Sequence, residues 1–134
     1  MITTGDIENG LWTIAKGVST KIYIDNRPKV LSAVSDYVVC GIATDVSSLV
    51  DNTNGSIAGT NVFFELYAKD IDDNGTKNSK KLKELEGKLY EAIKLGLSGY
   101  YLRHRGTRPN PYPSDGFHSS LTIYEIIVPH SRKV

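Results

Sequence analysis

The chain has 134 residues, 40% of them hydrophobic and 23% charged, with 16 Lys+Arg against 15 Asp+Glu for a formal net charge of +1. That composition fits one globular domain, residues 1–134, large enough for a single core, and excludes wholesale disorder. The near-neutral balance excludes a protein that grips phosphates over a broad surface, and the single cysteine, Cys40, excludes an intramolecular disulfide framework or a cysteine-based zinc site.

The first segment, residues 4–18, places Ile7, Leu11, Ile14 and Val18 on one helical face. Thr4 or Asp6 can cap this helix and Gly17 can help to end it. KIYID (21–25) reads as a short strand, and NRPK as a turn because Pro28 cannot donate a ladder hydrogen bond. Residues 37–43, rich in β-branched and aromatic side chains, form the next strand, with Cys40 as a small buried hydrophobe within it. A Gly/Asn-rich loop at 51–59 precedes the clearest strand, TNVFFELYAKD (60–70). DDNGTKNS then breaks the strand with turn chemistry.

The clearest helix follows, with Leu82, Leu85, Leu89 and Ile93 as its apolar stripe and a solvated Lys/Glu face opposite. Asn78 or Ser79 can serve as its N-cap, and Gly96 or Gly99 can stop it. Two strands finish the order, residues 99–105 and 118–130. The sequence α-β-β-β-α-β-β predicts an α+β fold: an antiparallel, strongly curved sheet with one long helix packed on it and a short N-terminal helix. Both parities of the strands are rich in apolar residues. Val62, Phe64, Leu66 and Ala68 stand against Phe63 and Tyr67, and Leu121, Ile123 and Ile127 against Tyr124, Ile126 and Val128. The long helix can cover one face, and the short N-terminal helix is too small to cover the other. Either the sheet curls over on itself or, the preferred reading, a neighbouring subunit supplies the rest.

Chemically, the richest stretch is RHRGTRPNPYPSDGFHSS, residues 103–120, expected as a long hairpin connection. His104, His118 and Asp115 are residue types suited to a small hydrolase, but no nucleophile elbow accompanies them. The two histidines can face each other across the hairpin, yet two ligands alone make a poor metal site. Asp70, Asp72 and Asp73 lack the spacing of a calcium loop and read as a solvated turn, and no Gly-rich phosphate loop is present. Neither a catalytic set, a metal nor a cofactor is therefore expected. Arg103, Arg105 and Arg108, interleaved with Tyr100, Tyr101 and Tyr112, can track a nucleic-acid backbone, which leaves a small nucleic-acid-binding module as an alternative. Pro109, Pro111 and Pro113 favour instead a stiff extended arm whose Arg and Tyr side chains touch another protein.

The order of a short helix, YIDNRPK, the strand DYVVCGIA, a polar loop, GTNVFFELYAKD, one helix and a terminal hairpin resembles the phage tail terminator proteins, also called tail completion or head–tail joining minor tail proteins. Residues 36–42 stand where that family has a strand of the type PYVVIG, residues 60–68 where it has one of the type vtfdIwa, and residues 79–95 at its helix. The likeness runs from about Ile7 to Val128; the proline arm at 108–113 and the loop at 51–59 depart from it. It implies a non-enzymatic structural protein of a phage or prophage virion. That protein forms a homo-oligomeric ring, commonly a hexamer, that ends the tail tube and joins it to the head connector. Phe63, Tyr67, Tyr124 and Ile126 are then expected near the subunit contact. Arg103, Arg105, Arg108, Tyr112 and Asp115 are expected at a rim or in the lumen, where DNA passes without being read. The absence of an apolar signal core in MITTGDIENG and of any ~20-residue apolar run places such a protein in the host cytoplasm during assembly, then in the virion.

Overall fold

A computed structural model describes residues 3–25, 35–43, 60–94, 101–110 and 116–127. The expected turn at Pro28, the loop at 51–59, the stop at Gly96 or Gly99, and Tyr100, Tyr112, Pro111, Pro113, Asp115, Val128 and His130 lie outside these residues. Two helices, α1 (Thr4–Ala15) and α2 (Ser79–Lys94), accompany five strands. These are β1 (Ile22–Ile24), β2 (Asp36–Ile42), β3 (Asn61–Lys69), β4 (Tyr101–Pro109) and β5 (Phe117–Ile127).

Helix α1 starts one residue earlier than its sequence suggests. Thr3, not Thr4, is the N-cap: its hydroxyl accepts from the Asp6 amide at 3.1 Å, and the Asp6 carboxylate accepts from the Thr3 amide at 2.9 Å. This reciprocal capping box satisfies two amides that the first helical turn leaves without partners. The stripe of Ile7, Leu11, Ile14 and Ala15 continues through the closing turn to Val18, and all five are buried. For α2 the cap is Asn78, whose side-chain oxygen accepts from the Lys81 amide at 3.1 Å. Leu82, Leu85 and Leu89 point inward, while Lys81 and Lys88 flank Glu84 on the outer surface. The helices touch where a Cβ at Gly17 would stand 3.3 Å from Ala92, so the small residue permits the approach.

The sheet has the order β1-β2-β3-β5-β4. It is mixed, which corrects the purely antiparallel expectation: β1 runs parallel to β2, with Tyr23 opposite Val39, and the remaining three pairings are antiparallel. A parallel pair cannot be closed by the tight hairpin that joins antiparallel neighbours, and residues 26–34 between these strands lie outside the described residues. Asp25 ends β1 at φ 65°, a left-handed conformation that Asp tolerates better than most residues. Its carboxylate sits over Gly41, where any Cβ would collide with it.

Both helices lie on the same face, contrary to the expectation that they divide the two. One contiguous core joins Ile7, Leu11 and Ile14 of α1 and Leu82, Leu85 and Leu89 of α2 to one sheet parity. That parity comprises Val38 and Cys40, Val62, Phe64, Leu66 and Ala68, Leu102, and Tyr124 and Ile126. The second face carries a smaller aromatic cluster at one end. Tyr37 stacks on Tyr67 with ring centroids 4.3 Å apart, and Phe117 and Tyr23 meet Tyr37 edge-on at 5.2 and 5.9 Å.

One network ties the layers together. The Asp36 carboxylate accepts from the Ser19 hydroxyl at 2.6 Å and the Ser35 hydroxyl at 3.0 Å, and the Lys81 ammonium stands 3.3 Å away. Ser19, four residues beyond the end of α1, the first residue of β2 and the first turn of α2 therefore meet at one charge. Burial works against ionisation of Asp36, but these hydrogen bonds and Lys81 outweigh it and hold the carboxyl below its usual range.

Candidate functional site

Strand β4 extends further than its sequence suggests. The expected strand stopped at Arg105, whereas the ladder continues to Pro109, opposite Ser120. Proline is tolerated there because β4 lies at the sheet edge, where a missing donor costs no ladder bond. The connection between the strands is therefore residues 110–116 rather than about a dozen residues, and Arg108 and Pro109 belong to the sheet rather than to an arm. A bulge between His104 and Gly106 makes Arg105 the extra residue.

That bulge determines where the expected site residues fall. Arg103 pairs with Glu125 at 2.5 Å, and Arg105 reaches the same carboxylate at 3.6 Å, holding it below the ordinary Glu range. Arg108 stands opposite Leu121, on the same parity as Arg103 and Glu125. The three arginines thus gather along one edge of the second sheet face, two of them on one acid. No described side chain forms an ion pair with Arg108. Neutralisation of this kind weakens a phosphate-gripping reading of the row.

The two histidines do not converge. His104 lies opposite Tyr124, and His118 opposite Ala68, six residues away along β5 and so roughly 20 Å distant. His118 Nδ1 instead meets the nearly buried Asp70 carboxylate at 2.6 Å, beside the Asp70 amide that donates to Gly116 O. Among the described residues no three His, Cys, Asp or Glu side chains are grouped as metal ligands. Asp72 accepts from the Thr76 hydroxyl and from the amides of Thr76 and Asn74, which lowers its pKa and makes the aspartate turn a self-contained fold of backbone. Cys40 is fully buried, and desolvation, with Asp25 and Glu8 nearby, pushes its thiol up to about 12. Such a thiol is held in its unreactive neutral form.

Of the four residues expected near a subunit contact, Phe63 and Tyr67 share the second face, while Tyr124 and Ile126 belong to the opposite parity under the helices. Ile126 is 0% and Tyr124 6% exposed. Phe63 pairs with Ile123, so the strand parity that continues its surface is Leu121, Ile123 and Ile127, all partly exposed. No described helix covers them. Within this face Glu65 accepts from Ser119 at 2.7 Å and Asn110 at 2.9 Å, tying the base of the hairpin to the central strand.

A second feature had no counterpart in the sequence reading. A groove remains between α2 and the sheet edge at β4. Its upper part, about 660 Å³, is lined by Leu89, Tyr90, Ile93, Leu102 and Tyr124, with Glu86, His104 and Thr107 as polar groups. Within it His104 Nε2 meets the Thr107 hydroxyl at 2.7 Å, and Thr107 meets Thr122 at 3.1 Å. The bulge makes this chain of contacts possible by bringing residues three apart in one strand to the same face. Burial pushes the Tyr124 phenol up. Below, sharing Glu86 and Thr107, lies a further cavity of about 410 Å³ bordered by Lys77, Lys83, Arg108 and Pro109. The only sequence signal for this extension is Gly106 followed by a β-favouring threonine, a pattern compatible with a bulge.

No described helix is long and apolar enough to cross a membrane. Compared with known proteins, the chain matches no protein-family profile and no curated sequence.

Proposed function

We propose that this chain is a non-enzymatic assembly protein of the phage or prophage tail-terminator kind, a subunit of a ring that ends the tail tube and joins it to the head connector. The observation that carries this reading is the placement of both helices on one sheet face, which leaves Phe63, Leu121, Ile123 and Ile127 partly exposed on the other. An apolar strip in the middle of a sheet, bordered by the Glu125–arginine pairs, has the composition of a subunit contact: an apolar centre with a charged rim. In the ring, a hexamer by the family resemblance, the sheet is strongly curved and its apolar strip meets the neighbouring subunit. Phe63 lies in the contact, with Tyr67 in the aromatic cluster beside it and Tyr124 and Ile126 backing it from the core. Arg103, Arg105 and Arg108, with Tyr112 and Asp115, border a rim or the lumen through which DNA passes. The ring assembles in the host cytoplasm and then resides in the virion.

Light scattering coupled to size exclusion tests the reading. The wild-type chain at micromolar concentration should run as a closed oligomer, and Ile123→Asp, at a partly exposed position, should keep its far-UV circular dichroism but dissociate. Central interface truncations cost about 2 kcal/mol or more, so assembly should weaken by at least about thirtyfold. A monomeric wild type, or an Ile123→Asp variant that assembles as well as wild type, would reject the ring.

A further inference from the structure

The groove between α2 and β4 lies on the helix-bearing side and is not needed for contact through the opposite sheet face. Three observations about it agree. First, it runs beside an edge strand of nine residues, about 30 Å long, and no described strand pairs with the outer edge of β4. Second, the two ends of the groove differ: Leu89, Tyr90, Ile93 and Leu102 make the upper end apolar, with Lys94 there paired to Glu91, whereas Lys77 and Lys83 border the lower end, joined at the sheet edge by Arg108 from the opposite strand parity. Third, Lys77, Lys83 and Arg108 have no ion-pair partner among the described residues, although Lys81, Lys88 and Lys94 of α2 all have one. The one acid in the groove, Glu86, is already engaged as acceptor of the Ser120 hydroxyl at 2.7 Å.

We propose that this groove binds an extended peptide segment of a partner protein, apolar at one end and acidic at the other, as an added strand along β4. An open edge supplies main-chain donors and acceptors, and an adjoining apolar cavity accepts alternate side chains, which is the physical basis of strand addition. The bulge at Arg105 interrupts regular pairing, so the main-chain contacts are confined to Tyr101–His104, beside the larger cavity. Beyond the bulge the segment is held by its acidic side chains against Lys77, Lys83 and Arg108. Tyr90, 61% exposed at the mouth of the cavity, supplies a flat apolar surface for the segment's outer side chain. The basic end selects against a basic segment, including a copy of the chain's own SRKV terminus.

The test uses the full chain and fluorescein-labelled synthetic octapeptides of alternating valine and threonine. Three aspartates stand at the N-terminal end of one peptide and at the C-terminal end of another, covering both strand directions. Control peptides carry three lysines instead, or N-methylated alternate amides. Fluorescence anisotropy at low salt should show one aspartate peptide binding at least about tenfold more tightly than its lysine counterpart, and N-methylation should abolish that binding. Lys77→Glu and Lys83→Glu, both at exposed positions, should each weaken the aspartate peptide and strengthen the lysine peptide, with unchanged circular dichroism. Equal binding of aspartate and lysine peptides, equal binding of the N-methylated form, or no binding of either aspartate peptide would overturn the proposal. The oligomeric state, measured on the same samples, separates this outcome from that of the ring.

Discussion

At single residues the structure separates polar groups that stabilise from those that cost. Asp36 stabilises: it gathers Ser19, Ser35 and Lys81 at the junction of α1, β2 and α2. Its folded pKa lies below the unfolded value, so its contribution is complete above the ordinary aspartate range and disappears as acid titrates the carboxyl through its lowered folded value. Asp36→Asn should therefore cost about 1–2 kcal/mol at pH 7, and its deficit relative to wild type should shrink below about pH 4, measured by urea unfolding across that range. Thr60 is the opposite case. Its hydroxyl is buried and has no hydrogen-bond partner among the described residues, although its carbonyl accepts from the Ile126 amide. Thr60→Val keeps the shape and removes the orphan group, so it should raise stability by about 1 kcal/mol in the same assay. Neither role is visible in the sequence, because each depends on what the fold brings within 3–4 Å rather than on residue type.

At the scale of elements, the sequence is most legible where periodicity is strong. The stripes of α1 and α2 and the apolar runs of β2 and β3 largely match the buried residues, with Ile93 at the end of α2 only partly buried. The cap of α2 was legible as a choice between Asn78 and Ser79, and the hydrogen bond to Asn78 makes that choice, whereas the cap of α1 is Thr3, one residue before the expected Thr4. Asn78→Ala should lower stability by about 1 kcal/mol in thermal unfolding, whereas Ser79→Ala should have little effect. The end of β4 was not legible. Arg105, Gly106 and Pro109 all signal a break to a reader of local propensity, yet a bulge absorbs the first two and the sheet edge tolerates the third. Missing that extension meant missing Thr107, and with it the contact between His104 and Thr122 and the groove around them.

For the whole molecule, two-sided apolar strands were legible as a need for additional cover, but not which parity needed it. Alternation assigns residues within one strand to two faces; only the register between strands states which parities of different strands coincide. Phe63 opposite Ile123 settles that point, and places Tyr124 and Ile126 behind the sheet rather than beside Phe63. The strand order also has a consequence in time. β5 lies between β3 and β4, yet it follows both in the chain, and among the described strands β4 has no sheet neighbour other than β5. A chain emerging from the ribosome in that order makes β1, β2, β3 and α2 available early, but β4 must wait without a place in the sheet until β5 arrives to occupy the middle. Until then the apolar edge of β3 stands open, so the interval between synthesis of β4 and completion of β5 is when the nascent protein is most exposed to mispairing with other chains.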